Sequence, residues 1–308
     1  MEPNALDDIV IGPASLERQR AALELVLRIV PLEDRARVVQ QTMLAAAAGE
    51  RSLDGLLAAT RGGQVVGAVW AEMQPGRTAG VWAPQVAEPQ AKGIAGALLA
   101  RLDEELRAHR VQMAQALVAP DAQQAAETFR EAGFEHLTDL LYLVSTTGQF
   151  PTAPVARDLT LEPALPQTQA RLAAIVDATY EQTLDCPRLN GVRDCRDVLA
   201  GYRATSHDDT SDWFLVRRGE RDVGCLLLAR HDEIETWEVV YMGLALDARG
   251  AGLGIELARQ AQWQVRRAGG DRLVLAVDTA NEPAVKAYAA AGFVTFDRRR
   301  VFVRFFDG

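Results

Sequence analysis

The sequence has very little lysine. Only Lys92 and Lys286 occur among 33 basic residues, and all the others are arginine. The basic residues are outnumbered by 42 acidic ones, which gives a formal net charge of −9. Because nucleic acids bind proteins mainly through clustered positive charge, this balance predicts no nucleic-acid partner.

Cysteine and long apolar runs are scarce as well. The three cysteines are Cys186, Cys195 and Cys225, and neither their odd number nor their spacing suits a metal site, so we expect reduced thiols and no metal. No apolar run approaches the roughly 20 residues of a membrane helix, and the acidic N-terminus has no signal-peptide core. These absences predict a cytoplasmic protein without membrane association.

The sequence contains one unit used twice. Gly93 corresponds to Gly252, and Gly133–Phe134 corresponds to Gly292–Phe293, with both pairs 159 positions apart (252 − 93 and 292 − 133). A constant offset over about 40 residues indicates a duplication, and its period is too long for a solenoid. The sequence therefore predicts two tandem domains.

The domain boundaries follow from composition. Residues 148–158 contain two prolines and a glycine, which is typical of a linker, so we assign 1–147 to the first domain and 159–308 to the second. In the second domain, short strand-like runs alternate with helical patterns such as Ile255–Arg267. This alternation predicts an α/β fold with a mixed, partly parallel sheet.

A glycine-rich turn stands between a strand-like run and that helical pattern. It consists of Arg249, Gly250, Ala251, Gly252, Leu253 and Gly254. Strand, glycine turn and helix together make a pyrophosphate site, because backbone N–H groups and the positive end of a helix dipole meet there. A dinucleotide-binding turn, which needs a different glycine spacing, and a tight loop without a ligand are the alternatives.

A second motif follows about 30 residues later. It comprises Asn281, Ala284, Tyr288, Gly292 and Phe293. The two motifs in this order resemble the GNAT N-acetyltransferase superfamily, most strongly from Glu235 to Phe293 and more weakly over most of each half. The resemblance implies two tandem GNAT folds, with acetyl-CoA as co-substrate and its pyrophosphate on the glycine turn.

The resemblance also implies roles for single residues. Met242, Gly243 and Leu244 match the strand end that holds the family's pantetheine arm, and we expect a bulge at Gly243 and an oxyanion donor in the Leu244 N–H. Asn281 would contact the same arm, although it also suits a plain helix cap. Tyr288 matches the family's general acid, and its alternative role is that of a core aromatic.

The acceptor side is less well defined by the sequence. Some base must remove a proton from the amine, and we favour Glu238, with Glu235, Glu233 and His231 as weaker alternatives. The stretch Thr179–Arg193 is expected to form either a wall of the acceptor pocket or a simple turn. We expect the acceptor to be a primary amine of a small molecule or peptide, and the assembly to be a monomer or a homodimer.

The first half has lost the catalytic residues. Its turn still has residues that fit the motif, since Gln90, Gly93 and Ala95 stand at the positions of Arg249, Gly252 and Gly254. However, Ala122 and Phe129 stand at the positions of Asn281 and Tyr288, and Pro84 is expected to interrupt strand pairing before the turn. Since phenylalanine has no proton to give, we expect catalysis only in the second half. The first half is then structural, or it binds coenzyme A unproductively.

The sequence thus predicts an acyltransferase that moves an acetyl group directly from acetyl-CoA to an amine. A catalytically silent acyl-CoA sensor is the alternative, and the presence of Asn281 and Tyr288 favours the enzyme. A third possibility keeps the fold but takes a thiol-containing or sugar amine as acceptor, as in mycothiol synthase.

Overall fold

The computed structural model describes residues 8–87, 93–155, 158–207 and 209–306. The chain divides into two compact units, of which unit 1 comprises Met1–His136 and Arg300–Gly308, and unit 2 comprises Leu137–Arg299. Each unit combines a sheet with helices, which confirms the α/β class. Among the described helices, none has both the length and the apolar character needed to cross a bilayer.

The described residues of the first repeat form six strands and four helices. In chain order they are β1 (Ile9–Pro13), α1 (Leu16–Val26), α2 (Leu32–Ala47), β2 (Leu56–Arg61), β3 (Gln64–Gln74), β4 (Thr78–Val86), α3 (Ile94–Ala108), β5 (Met113–Val118), α4 (Gln123–Glu131) and β6 (Glu135–Thr146).

The second repeat has the same order of elements. They are β7 (Thr160–Pro163), α5 (Gln169–Tyr180), α6 (Cys195–Thr205), β8 (Trp213–Arg218), β9 (Arg221–His231), β10 (Thr236–Leu244), α7 (Leu253–Arg267), β11 (Arg272–Asp278), α8 (Glu282–Ala290) and β12 (Val294–Phe305). Short 3-10 helices occur at Leu27–Ile29, Pro166–Thr168, Pro187–Leu189, Asp232–Ile234 and Leu246–Ala248.

The last strand of each repeat pairs with a strand encoded by the other repeat. In unit 2, β6 runs antiparallel to β11 from Leu140 opposite Asp278 to Thr146 opposite Arg272. In unit 1, the end of β12 runs antiparallel to β5 from Arg300 onward. The compact units therefore differ from the domains assigned at residues 147 and 159, because backbone pairing does not follow the order of the repeats.

Unit 2 has helices on both faces of its sheet. Helix α7 presents an apolar stripe to one face, at Leu253, Leu257, Ala258, Ala261 and Val265, all buried. Helices α5 and α6 cover the other face, where the buried Cys225 thiol lies among apolar side chains. Phe150 of the predicted linker is buried in the α7 layer, so that part of the linker belongs to the packed core.

Two strand irregularities differ from the expected ones. The bulge in β10 lies at Val240, where pairing with β9 skips one residue, and Gly243 pairs regularly with Cys225. The expected interruption at Pro84 is local, since pairing of β4 with β3 skips Ala83 and Pro84 and resumes at Gln85. Two residues of one strand that lie opposite one residue of its neighbour form a β-bulge, and this bulge accommodates the missing N–H of proline.

Gly243 is required by close packing. A Cβ built on Gly243 would lie 2.8 Å from the Cβ of Thr179, a buried residue of α5. Helix α5 therefore approaches the backbone of β10 more closely than any larger residue would allow.

We predict that Gly243→Ala lowers the free energy of unfolding by roughly 1–3 kcal/mol, because α5 must move away from β10. Urea unfolding measures this change. Gly96→Ala in α3 is the matched control, since a Cβ there would meet no atom within 4 Å. A helical alanine is expected to stabilise the control variant by roughly 0.5–1 kcal/mol. Equal stability of Gly243→Ala and the wild type would contradict the close contact.

Candidate active site

The candidate site of unit 2 is a cleft between two diverging parallel strands. Strands β10 and β11 pair only at Trp237–Leu273 and Glu238–Val274. Beyond these pairs β10 continues along β9 to Leu244, while β11 continues along β6 to Asp278. The carboxyl ends of the two strands therefore do not bond to each other. The Asp278 N–H at the end of β11 donates to Asp185 Oδ1, while β10 from Met242 to Leu244 has no strand partner on the side that faces β11.

The glycine turn stands at the open end of this cleft. Gly250 and Gly252 have φ angles of +86° and +79°, a left-handed conformation that favours glycine. Gly252 is the N-cap of α7, so the first N–H groups of the helix have no intrahelical acceptor. Gly254 is less constrained, because a Cβ there would lie 3.7 Å from the Ala287 Cβ, an ordinary contact.

A groove of about 480 Å³ lies beside the turn. Ala251, Gly252 and Leu253 line it together with the basic Arg259 and the acidic Glu256. The Glu256 carboxylate is already engaged, because it accepts the N–H of Leu159 at 3.1 Å. Backbone N–H groups, a helix N-terminus and an exposed arginine make this groove suitable for a phosphate group.

Arg249 connects the glycine turn to the end of α5. Its guanidinium donates to the backbone carbonyls of Leu244 at 3.0 Å, Gln182 at 3.0 Å and Thr179 at 2.8 Å. These bonds link the end of β10 to the end of α5. The side chain of Arg249 therefore holds β10 and α5 together. The predicted ligand binding at Arg249 would have to use its backbone, because the guanidinium is occupied.

Asn281 occupies the start of α8. Its side chain accepts the Ala284 N–H at 3.3 Å and therefore caps the helix. It also opposes the rise in pKa that burial gives the Asp185 carboxyl, which belongs to the loop between α5 and α6. The capping role is observed, while contact with a pantetheine arm stays a prediction, as does ligand binding by Met242, whose side chain packs on the α7 layer.

Tyr288 lies in the core with its hydroxyl unused. Only 7% of the residue is exposed, and its ring packs edge-on against Phe293 with centroids 5.7 Å apart. Among the described residues the hydroxyl has no hydrogen-bond partner, and its oxygen is not fully shielded from solvent. Burial and the nearby charge of Asp185 raise the phenol pKa above its ordinary value, so Tyr288 carries its proton at neutral pH.

The loop between α5 and α6 is fastened to the end of β11. The Asp278 N–H donates to Asp185 Oδ1 at 3.0 Å, and the Cys186 N–H donates to Asp278 Oδ2 at 3.0 Å. Burial raises the pKa of the Cys186 thiol well above its usual range, which agrees with an unreactive cysteine. Sequence reasoning missed Asp278, whose only signal is an acidic residue ending a buried strand.

Three tyrosines from separate elements meet on the same face of the sheet. The hydroxyls of Tyr180 and Tyr202 lie 2.6 Å apart, and the Tyr241 hydroxyl lies 2.8 Å from Thr179 Oγ1. The rings of Tyr202 and Tyr241 stack at 5.2 Å. Because these residues come from α5, α6 and β10, no sequence motif identifies them as a cluster.

Glu238 lies at the closed end of the cleft. Its Oε2 is 2.8 Å from His231 Nε2, and this hydrogen bond raises the histidine pKa above its ordinary value. Glu238 precedes Met242 and Leu244 by four and six residues, roughly 13–20 Å along an extended strand. A proton could therefore reach Glu238 only through a bound acceptor or a chain of waters. The weaker alternatives Glu233 and Glu235 are exposed.

Unit 1 has a glycine at the start of the corresponding helix but lacks polar side chains at the positions of Asn281 and Tyr288. Gly93 has a φ of +93° and is the N-cap of α3, which contains Ala95, whereas Gln90 lies outside the described residues. Ala122 makes no side-chain cap bond to α4. Phe129 is fully buried and packs edge-on against Phe134 at 5.1 Å, in the manner of the Tyr288 and Phe293 rings.

Comparisons with known proteins show what this part of the chain resembles. Residues 176–293 match the acetyltransferase (GNAT) family. The mycothiol acetyltransferase of Corynebacterium glutamicum is 34% identical over 92 residues, which cover 30% of this chain and 31% of that protein. The mycothiol acetyltransferase of Corynebacterium aurimucosum is 45% identical over 56 residues, 18% of each chain. The matched segments thus span about a third or less of these relatives.

Solved structures share the fold over nearly the whole chain. A GCN5-related N-acetyltransferase from Sphaerobacter thermophilus superposes with a TM-score of 0.67 at 16% identity, covering 97% of this chain and 96% of that one. A tandem GNAT protein from the clavulanic acid biosynthesis pathway gives 0.54 at 15% identity, with 96% and 98% covered. Residues 176–293 are therefore similar to the GNAT acetyltransferase family, and the fold of the chain is shared with a tandem GNAT protein.

Proposed function

We propose that unit 2 transfers an acetyl group from acetyl-CoA to a primary amine. The observation that carries this proposal is Tyr288, a protonated phenol whose hydroxyl has no partner among the described residues. A hydroxyl left free is available to a reacting group in the cleft.

The cleft fits coenzyme A in three places. The first N–H groups of α7 suit a pyrophosphate. The side of β10 that faces β11 at Met242, Gly243 and Leu244 suits a strand-like pantetheine arm, because β11 does not pair with β10 there. Asn281 lies near that arm's expected path. Acetyl-CoA, when bound, supplies the acetyl group as a thioester that an amine can attack.

Three groups of the chain would act on the reacting atoms. Glu238, with His231 behind it, takes the proton that the ammonium must lose, through the acceptor or water. The Leu244 N–H stabilises the charge that develops on the carbonyl oxygen. As the new C–N bond replaces the C–S bond, the nitrogen would release its second proton to water, and Tyr288 Oη would donate its proton to the departing sulfur and regain one from water. Each role rests on the position of the residue in the cleft and on the family resemblance.

The acceptor is proposed to be a small-molecule amine. The relatives named mycothiol acetyltransferase favour a thiol-containing or sugar amine among the possible acceptors. A silent acyl-CoA-binding role is less well supported for unit 2, because a phenol and a capping asparagine stand where the first repeat has Phe129 and Ala122. We propose a structural role for the first repeat.

We predict that Tyr288→Phe lowers kcat by roughly 10²- to 10⁴-fold, the usual contribution of a general acid. Phenylalanine preserves the edge-on contact with Phe293, as Phe129 does in unit 1, so folding and coenzyme A affinity should remain within about twofold. Thiol release measures kcat, and isothermal titration calorimetry measures coenzyme A binding. Unchanged turnover would remove Tyr288 from the mechanism.

We predict that Glu238→Gln lowers kcat/KM by roughly 10²-fold or more. The same change should lower the pKa of His231, because Glu238 is the main group that raises it and the opposing effect of burial remains. Histidine NMR signals measured against pH report this shift. The control is Glu220→Gln in the exposed β8–β9 turn, which should leave both rate and pKa unchanged. A normal rate combined with a lowered His231 pKa would exclude Glu238 as the base.

A further inference from the structure

Two carboxylates of unit 2 lie together where the α5–α6 loop meets the end of β11. Asp278 is almost fully buried, with 1% of its surface exposed, whereas Asp185 is half-buried and has a path to solvent. They are joined by the hydrogen bond from the Asp278 N–H to Asp185 Oδ1. This pair is outside the glycine turn and belongs to neither GNAT motif.

Every donor to Asp278 is neutral. Oδ1 accepts the Thr138 hydroxyl at 2.6 Å and the Ala280 N–H at 2.8 Å, and Oδ2 accepts the Cys186 N–H at 3.0 Å. These bonds satisfy the carboxylate oxygens but do not balance its charge.

The donors to Asp185 are neutral as well. Asp185 Oδ1 accepts the Asp278 N–H, and the uncharged Asn281 side chain lies close enough to lower the pKa of Asp185. Within residues 8–87, 93–155, 158–207 and 209–306, neither carboxylate has an Arg, Lys or His at ion-pair distance. Burial, together with the charge of Asp278, raises the pKa of Asp185 above its usual value.

The same unit shows what a balanced carboxylate pair looks like. Glu162 and Asp222 both receive the guanidinium of Arg171, with closest distances of 2.7 Å. Buried or half-buried charges in proteins are generally paired in this way, because an uncompensated charge loses hydration without gaining a counter-ion. The pair at Asp185 lacks its cation.

The unbalanced charge lies beside an unpartnered polar group. Tyr288 is more than nine-tenths buried, its hydroxyl is free among the described residues, and the charge of Asp185 acts on it directly. Asn281 contacts Asp185 and caps the helix that carries Tyr288. The missing cation at Asp185 and the free hydroxyl of Tyr288 therefore both indicate a ligand site where the α5–α6 loop meets α8.

We propose that Asp185 binds the ammonium group of the acceptor, so that the site selects cationic primary amines over neutral ones. This inference rests on the proposed acetyl transfer, and it places the nitrogen on the side of the cleft where Tyr288 stands. Asp278 is too buried to meet the ligand and acts as a positioning residue, since its backbone and side chain hold the Asp185 loop.

The test uses the full chain loaded with coenzyme A. A panel of alkylamines, amino sugars and aminothiols is screened by thermal shift, and the ammonium compound with the largest shift is compared with its hydroxyl isostere by calorimetry. Asp185→Asn removes the charge and keeps the oxygen that accepts the Asp278 N–H. We expect it to weaken ammonium binding about tenfold, with unchanged binding of the isostere and of coenzyme A.

Glu181→Gln is the matched control, because Glu181 is an exposed carboxylate four residues earlier in the chain. It should bind the ammonium compound as the wild type does. Equal ammonium affinity of Asp185→Asn and the wild type, or no ammonium-dependent shift across the panel, would overturn the proposal. The proposal would also be overturned if Asp185→Asn lowered kcat at saturating amine and left KM unchanged. Asp185 would then act as a base and would not bind the ammonium group.

Acetyl transfer is measured separately by thiol release. If ammonium binding depends on Asp185 but no amine is acetylated, the proposed catalytic function fails while the ammonium site stands. If amines are acetylated equally well by Asp185→Asn, the ammonium site fails while the catalytic function stands.

Discussion

The short pairing between β10 and β11 is the constraint on which the site depends. Two parallel strands that bond at only two residue pairs must leave backbone groups open beyond them. Helix α5 reaches the end of β10 because Gly243 has no Cβ, and Arg249 holds the two together through three carbonyls. The open strand edge, the glycine turn and the acceptor loop are therefore consequences of one local divergence.

Electrostatics divides the cleft into two regions. At the turn, the start of α7 offers free N–H groups suited to phosphate, and Arg259 lies beside them together with the acidic Asp158 and Glu256. On the α5–α6 side, Asp185 and Asp278 provide negative charge that no described cation balances. A ligand with a phosphate at one end and an amine partner at the other meets complementary charge in both regions, and the protonated Tyr288 lies near the acidic one.

Comparison of the two repeats shows which packing contacts and turn conformations do not require the Tyr288 hydroxyl. Phe129 and Phe134 reproduce the edge-on contact of Tyr288 and Phe293, and Gly93 caps its helix with a positive φ as Gly252 does. Packing and turn geometry therefore persist without the phenol. Alignment of the repeats predicted these equivalences, because each depends on residue type at a local position. It could not show that β6 and β12 exchange partners, since hydrogen bonding between strands depends on which edges meet in the folded chain.

The sequence by itself determined the α/β class, the repeat, the glycine turn with its helix, and the position of Tyr288, because all of these rest on local patterns. It misplaced the bulge of β10, which depends on pairing with β9, and it missed Asp278, whose importance arises only from its contact with Asp185 about 90 residues earlier. The hydrogen bond of Glu238 to His231, the clamp made by Arg249 and the unbalanced acidic pair were decided by tertiary structure. The acidic pair and two of the three Arg249 bonds join residues that are distant in sequence, whereas His231 and Glu238 are seven residues apart and meet because β9 and β10 pair. All of these contacts therefore depend on which elements the fold brings together.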